Sequence, residues 1–496
     1  MAPPTVFGMG GQAVRWTAEQ VRALAPDDAS RRAGSKLSAP GPWTEAGWGN
    51  GALWGQCKGS GSKPYQTVVD LDGGQGPGYR CSCPSRKFPC KHALGLLLLW
   101  AGGEAVVAEG GDPPEWADGW LGDRRRRAER KAARGPAGAP EGTNAGQAAA
   151  GTGNGADERA RAEAAHRRAA QRAERITAGT QELEQRLADL LRGGLAGAEQ
   201  RGYAPWEEMA ARMVDAQAPG LAARIRELGA IPGSGEGWPG RLLAECALLH
   251  LLAVGWRRAA ELPAPLADTV RTRVGLTLEA ADLLSDKQAL VRDKWLVLAQ
   301  RDADEGRLTV RRVWLYGRSA GRHALLLSYG AGGRAPELAL PVGAALDAEL
   351  AYYPGSGSLR AALGPRYGAP LPGFQPPGTG VREALEGYAR MLREDPWAEG
   401  RPCVLERVVP VPPSDAGTAG GTAGASRGGA GPGAAGWHLA AADEEVALPV
   451  APGTGAAALW RLLALSAEGP VTVFGECGHR GFAPHTAWHQ GRVVPL

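Results

Sequence analysis

The sequence predicts a multidomain α+β protein: a small strand-and-helix module, a helical bundle in the middle and a β-rich C-terminal region. Three observations carry that prediction. At 496 residues the chain is long enough for roughly three domains. Its apolar spacing is helical up to about residue 286 and strand-like beyond. Its 74 glycines and 38 prolines exceed ordinary usage and point to flexible segments between folded parts. The units are expected at 1–122 (with a core at about 52–102), 123–157 (a basic run and a linker), 158–286 (helical) and 287–496 (β-rich, with an insert at 412–436).

The N-terminal unit opens with a helix near Thr17–Leu24. Thr17 is its N-cap, and Gln20 three residues on completes a capping box. Three strands follow, around Ala52–Lys58, Tyr65–Leu71 and Gly78–Cys83. Val68 and Val69 give the second its β-branched character. A helix from Lys91 to Ala101 closes the unit. Then comes RRRRAERKAAR (Arg124 to Arg134), seven bases against one acid. The stretch Gly135–Asp157 is nearly all Gly, Ala, Pro, Asn and Thr, which cannot bury enough apolar surface to order itself.

In the helical part, Leu183, Leu187, Leu190 and Leu191 fall on one face. Trp206, Met209 and Met213 repeat that spacing after Pro205, a good first-turn residue. Leu221, Ile225 and Leu228 mark another helix. Arg241–Arg258 is apolar nearly all round and reads as the buried helix of a bundle. Beyond Lys287, a meander is expected at Trp295–Ala299, Leu308–Tyr316 and Ala324–Tyr329, with Asp302–Gly306 as a turn. The insert Pro412–Gly436 precedes a hairpin (Trp437–Val450), a helix near Ala456–Ala464 and a strand at Val471–Gly475.

Charge is unevenly placed. The chain carries +4 in all. Residues 1–134 hold 18 Lys/Arg against 13 Asp/Glu, net +5, which leaves the remainder near −1. A polyanion should therefore meet the N-terminal part. The seven cysteines (Cys57, Cys81, Cys83, Cys90, Cys246, Cys403 and Cys477) are sparse for this length. MAPPTVFGMGG has neither a basic start nor a long apolar run, so no secretory leader is expected. The apolar stretches are too short to span a membrane. A reducing cytoplasm is the expected location, where close-spaced cysteines favour metal over disulfide.

The densest chemistry lies at Cys81–His92, CSCPSRKFPCKH. In a strand, Cys81 and Cys83 would point to one face. Pro84 and Pro89 stiffen the loop that follows and lower the entropy lost on closing it. Cys90 should precede the helix, with His92 in its first turn, because positions two apart do not share a helical face. Three thiolates and one imidazole suit one tetrahedral zinc ion. All four positions are filled by protein, so the metal is expected to be structural and not a catalyst.

The pattern C-x-C-x(6)-C-x-H resembles the SWIM zinc finger. The flanks LWGQCKGSGSKPYQTVVDL and ALGLLLLW, and further on ARMVDAQAPGLA and VRDKWLVLAQ…RRVWLYG, are similar to bacterial SWIM zinc finger family proteins. The resemblance implies zinc ligation by Cys81, Cys83, Cys90 and His92. It also implies a nucleic-acid- or protein-binding role, and no catalysis by the finger.

Two partner classes stay open. Nucleic acid (DNA or RNA) would be met by Arg86, Lys87, Lys91 and the run Arg124, Arg125, Arg126 and Arg127, with Trp54, Tyr65, Tyr79 and Phe88 available to stack. The same cations could instead only stabilise the thiolates. A protein partner, such as an ATPase, would dock on the later regions. No membrane and no small-molecule substrate is expected. Nor is an enzyme: the chain lacks a Walker A loop, H-E-x-x-H and G-x-S-x-G. Gly453–Ala458 imitates a dinucleotide fingerprint without its βαβ setting. Glu207/Glu208 and Glu444/Glu445 are adjacent and share no face. Cys477, His479, His485 and His489 have no ligand spacing, and Cys57 reads as a buried thiol.

Overall fold

Helix α1 (Ala18–Ala23) starts where the sequence predicts, and both bonds of the capping box between Thr17 and Gln20 are present. The computed structural model describes residues 15–133, 155–413 and 436–496, less 27, 60–62, 72–76, 86, 88, 104–106, 108–109, 306–307, 332–335 and 337. The architecture is α+β, with three antiparallel sheets among the described residues.

In the N-terminal unit, α2 (Asp28–Ser35) precedes a four-stranded sheet of β1 (Trp43–Gly49), β2 (Ala52–Cys57), β3 (Tyr65–Asp70) and β4 (Gly78–Cys81), paired in chain order. Helix α3 (Lys91–Ala101) is buried from His92 to Trp100. It is enclosed by the sheet on one side and by α1 and α2 on the other. The contact with α2 is close: a Cβ on Gly34 would stand 2.7 Å from that of Leu94. Helix α4 (Glu115–Ala133) lies on the sheet's other face, with Ala117 and Leu121 against Trp54 and Val68.

The middle region is helical: α5 (Gly155–Arg192), α6 (Ala198–Arg201), α7 (Ala204–Asp215), α8 (Pro219–Leu228), α9 (Trp238–Arg257), α10 (Ala264–Val274) and α11 (Ala280–Ser285). Their shared core contains Leu183, Leu187, Trp206, Met209, Met213, Leu221, Ile225 and Leu228, residues the spacing singled out, while Leu190 is only partly buried against it and Leu191, expected on the same face, is 43% exposed. Two further details differ. Helix α5 begins at Gly155, so the last residues of the expected linker are helical; residues 134–154 lie outside the described residues. Helix α9 is not enclosed all round. Leu242, Cys246, Leu249 and Leu252 face the core, while Leu243 (48%) and Leu251 (43%) are exposed. At the edge of a bundle, an all-apolar helix still leaves one side without a neighbour.

After α11 comes a meander of β5 (Leu290–Glu305), β6 (Leu308–Gly317) and β7 (His323–Ala331), then β8 (Ala345–Tyr352) and β9 (Ala361–Arg366). Asp302–Glu305 is strand and not turn. Each residue there pairs across to β6, and Asp302 holds the buried Arg311 guanidinium at 2.7 Å. Strand β8 returns beside β5, giving the order β8-β5-β6-β7, a Greek key. A parallel bridge from Leu325 to Arg360 then joins β7 to the start of β9 and closes a five-stranded barrel. Trp295, Val297, Val313, Leu315, Leu326 and Leu350 fill its interior.

Helix α12 (Val381–Glu394) leads into a six-stranded sheet of β10 (Gly400–Val411), β11 (His438–Ala441), β12 (Ala447–Pro449), β13 (Val471–Gly478), β14 (Gly481–His489) and β15 (Arg492–Pro495). Its order is β12-β11-β10-β13-β14-β15. Helix α13 (Ala456–Ser466) joins β12 to β13. The expected hairpin is β11–β12. Most of the expected insert, residues 414–435, lies outside the described residues. Helices α12 and α13 cover one face of this sheet. The barrel covers the other, where Leu296, Leu298 and Trp314 meet Val404, Phe474 and Trp488.

The units touch. The Gln20 amide donates to the Val342 carbonyl at 3.0 Å, and Ala339 belongs to the same core as Trp16, Val21 and Leu24. Trp397 donates its ring N–H to the Leu248 carbonyl in the bundle. No helix among the described residues is long and apolar enough to cross a membrane.

Candidate metal centre

The four predicted ligands converge. The sulfurs of Cys81, Cys83 and Cys90 and a ring nitrogen of His92 all lie within 4.8 Å of one another. A tetrahedral zinc with Zn–S near 2.3 Å needs sulfurs about 3.8 Å apart. The donor set therefore fits one zinc ion, and its chemistry is that of a closed structural site.

Cys90 is the N-cap of α3 and His92 stands in its first turn, as the spacing requires. On the strand side the outcome differs. Strand β4 ends at Cys81, and Cys83 sits in a bend two residues later. Pro84 cannot donate to a ladder, so pairing stops short of it. The two thiols converge through that bend and not through the pleat of one strand.

Strand β3 contributes neighbours that the motif does not include. Thr67 pairs with Cys81 in the sheet register, and its hydroxyl oxygen lies 3.3 Å from the Cys81 sulfur. The Tyr65 ring packs on His92 at 4.8 Å between centroids. The Nδ1 of His92 is 3.6 Å from the Cys81 sulfur. The signal for these contacts was the pairing of TVVD with GYRC, which places every second residue of β3 beside the ligands.

The site divides its protons unequally. A hydrogen bond from Cys90 above all, then those from His92 and Thr67, holds the Cys81 thiol down to about 3 against the upward push of burial. The bond to Cys81 and burial push Cys90 far up, and burial raises Cys83. Binding a cation would release the remaining thiol protons. Cys57 is fully buried with its thiol raised by burial, and it is not among the clustered ligands.

The basic residues are dispersed. Arg124 donates to Asp70 at 2.8 Å and Arg126 to Asp123 at 2.6 Å. Arg125 is exposed, with a nitrogen 3.4 Å from the Asn50 carbonyl. Lys87 and Lys91 are exposed beside the site. Arg86, Phe88 and the Arg127 side chain lie outside the described residues. Of the aromatic candidates, Trp54 is buried beneath α4 and cannot stack on a base, while Tyr79 is partly buried and its hydroxyl has no accessible surface. Elsewhere, His485 pairs with Glu476 and His489 with Glu468, and no second metal-ligand cluster occurs among the described residues. Gly453–Gly455 opens α13 after an antiparallel strand, not within a βαβ unit.

Two family models match. Residues 65–101 fit the SWIM zinc finger, and residues 171–274 fit the SWIM-associated four-helix bundle domain. Neither a curated protein nor a solved structure matches the chain. The second match falls on α5 and α7–α10, which share one core, and the first ends on the last residue of α3. The chain therefore carries a SWIM zinc finger followed by a SWIM-associated four-helix bundle domain.

Proposed function

We propose that this is a non-enzymatic zinc protein of a reducing compartment such as the cytoplasm, with the finger serving as a module that binds nucleic acid. The observation that supports this reading is the complete Cys3His set beside exposed bases: four protein ligands leave a bound zinc no open position for substrate. Lys87 and Lys91 beside the site and Arg125 on α4 are among the described bases that face solvent, and Arg86 and Arg127 join them on sequence grounds. Zinc would hold β4, the basic loop and α3 in one shape, and the cations would meet phosphates.

A second reading is favoured by α9. Leu243 and Leu251 form an exposed apolar stripe on a bundle helix, which suits a protein partner. On this reading the chain is an adaptor, for a partner such as an ATPase, without nucleic-acid contact.

Metal analysis of the full chain is expected to give close to one zinc, and none in Cys90→Ala or His92→Ala. Zinc retained in both variants overturns the ligand assignment. Labelled single- and double-stranded DNA and RNA at low salt then separate the partner classes. Affinity that falls steeply with salt and weakens in Lys87→Ala/Lys91→Ala supports the first reading. Undetectable binding to all four retires it in favour of the adaptor.

A further inference from the structure

One end of the β5–β9 barrel gathers cations that form no salt bridge among the described residues. The turn from β6 to β7 carries Arg318 and Arg322, the connection from β8 to β9 ends in Arg360, and Lys294 lies at the start of β5. They are neighbours. The Arg318 amide donates to the Lys294 carbonyl at 3.2 Å, and the Arg322 guanidinium reaches the Ser358 carbonyl at 3.4 Å. Lys294, Arg318 and Arg322 are exposed and Arg360 is half-buried. Among the described residues none of the four is in a salt bridge.

Some nearby acids are otherwise engaged, while Asp347 stands opposite Lys294 in the sheet and the exposed Glu394 approaches Gly357 of the β8–β9 connection. Asp347 takes both bonds of Arg292, and Glu349 accepts from the Tyr367 hydroxyl. Asp293 is buried and accepts from the amides of Ser319 and Ala320, which pins the β6–β7 turn. Glu279, the N-cap of α11, is the acid whose field reaches Tyr353.

Aromatic rings alternate with these cations. Arg322 lies over Tyr352 at 3.8 Å, Arg360 over Tyr353 at 4.3 Å and Arg318 over Phe374 at 5.3 Å. A guanidinium held on a ring loses little freedom when its N–H edge meets a phosphate. Tyr329, 52% exposed further along β7, offers a stacking face. Cations interleaved with aromatic faces suit a flexible strand of phosphates and bases, whereas an acidic peptide would use only the cations. Five-stranded Greek-key barrels of the OB type bind oligonucleotides through loops and one sheet face. Here the outer face of β5 and β6 is packed against the six-stranded sheet, which leaves the loops at this end as the open surface.

We propose that this end of the barrel, through Lys294, Arg318, Arg322 and Arg360, is a binding site for single-stranded nucleic acid, with Tyr329 farther along β7 available to stack. It rests on the barrel alone and not on the finger's role.

The test titrates the full, zinc-loaded chain with a labelled thymidine oligomer of about 20 nucleotides by fluorescence anisotropy. Titrations run between roughly 50 and 200 mM salt, and a polyglutamate serves as the rival probe. Arg318→Ala/Arg322→Ala/Arg360→Ala is expected to weaken oligomer binding about tenfold or more and to lower the salt slope by about 2, at ~0.7 for each phosphate no longer neutralised. The triple Lys variant keeps the charge and should recover most of the slope. Should the alanines disturb the loops, Lys294→Glu is expected to weaken binding at least threefold on its own. Cys90→Ala, run in parallel, reads the finger separately. Unchanged binding in the alanine triple and in Lys294→Glu overturns the site, as does absence of binding by the wild-type chain or tighter binding of polyglutamate.

Discussion

The N-terminal unit and the C-terminal β region both rest on antiparallel sheets, but they close their cores by different means. In the first, one small sheet and one buried helix meet at a point where four ligands converge. In the second, a barrel packs its outer face on a second sheet, and Leu296, Trp314, Phe474 and Trp488 do the closing. Their arginines differ in the same way. The run at Arg124–Arg126 is dense in sequence, yet two of its members are held by Asp70 and Asp123. Arg318, Arg322 and Arg360 are scattered in sequence and are in no salt bridge among the described residues. Charge available to a ligand therefore depends on what the fold pairs, not on how many bases follow one another.

The largest test of this contrast is metal removal. Chelation, or Cys90→Ala, should unfold the N-terminal unit, a loss of several kcal/mol, because the ion's binding energy is folding energy there. Tryptophan fluorescence and hydrogen exchange should show β10–β14 still protected; simultaneous loss of both regions would erase the distinction. Trp314→Ala should do the converse. It opens the contact between the sheets at about 3–5 kcal/mol and leaves zinc content unchanged, which a denaturant melt with metal analysis can check.

The buried histidines sharpen it further. His92 faces sulfur. His323 has a ring Nε2 without accessible surface or partner, and burial, helped by Arg401, pushes its pKa down to about 4. Its stabilising effect is complete above the unfolded value near 6.5 and is lost as pH falls toward 4, roughly 3 kcal/mol in all. His323→Gln should flatten that part of the pH–stability curve. The smallest effect is expected at the basic run. Arg124→Ala removes one bond to the buried Asp70 carboxylate and should cost about 1–2 kcal/mol, whereas Arg125→Ala should stay within about 0.5 kcal/mol.

Much of this was legible where signals are local. The Thr17 cap, the four ligands, α3, the bundle core and the β11–β12 hairpin all follow from spacing within a dozen residues or so. What escaped is set by distant partners. Helix α2, DASRRAGS, has little apolar pattern because its contact with α3 is made at Gly34, where a Cβ would meet Leu94. Strand β1 holds two glycines in seven residues, and Asp302–Glu305 is polar strand because Arg311 lies opposite. The barrel's closure hangs on a bridge between residues 325 and 360, which no local pattern announces. Of the site, the ligands were readable, but Thr67 and Tyr65 needed the β3–β4 register.

The seam at Ala339 and Val342 has a consequence for dissection of the molecule. Trp16, Val21 and Leu24 share a core with a residue more than three hundred positions away, and Gln20 is bonded beside it. A protease site inserted between residues 134 and 154 would cut the chain once without parting it. The two fragments should elute together, and an N-terminal fragment expressed by itself would present a raw apolar edge where the barrel belongs. Gene boundaries drawn at the finger would thus divide a joint, not a hinge.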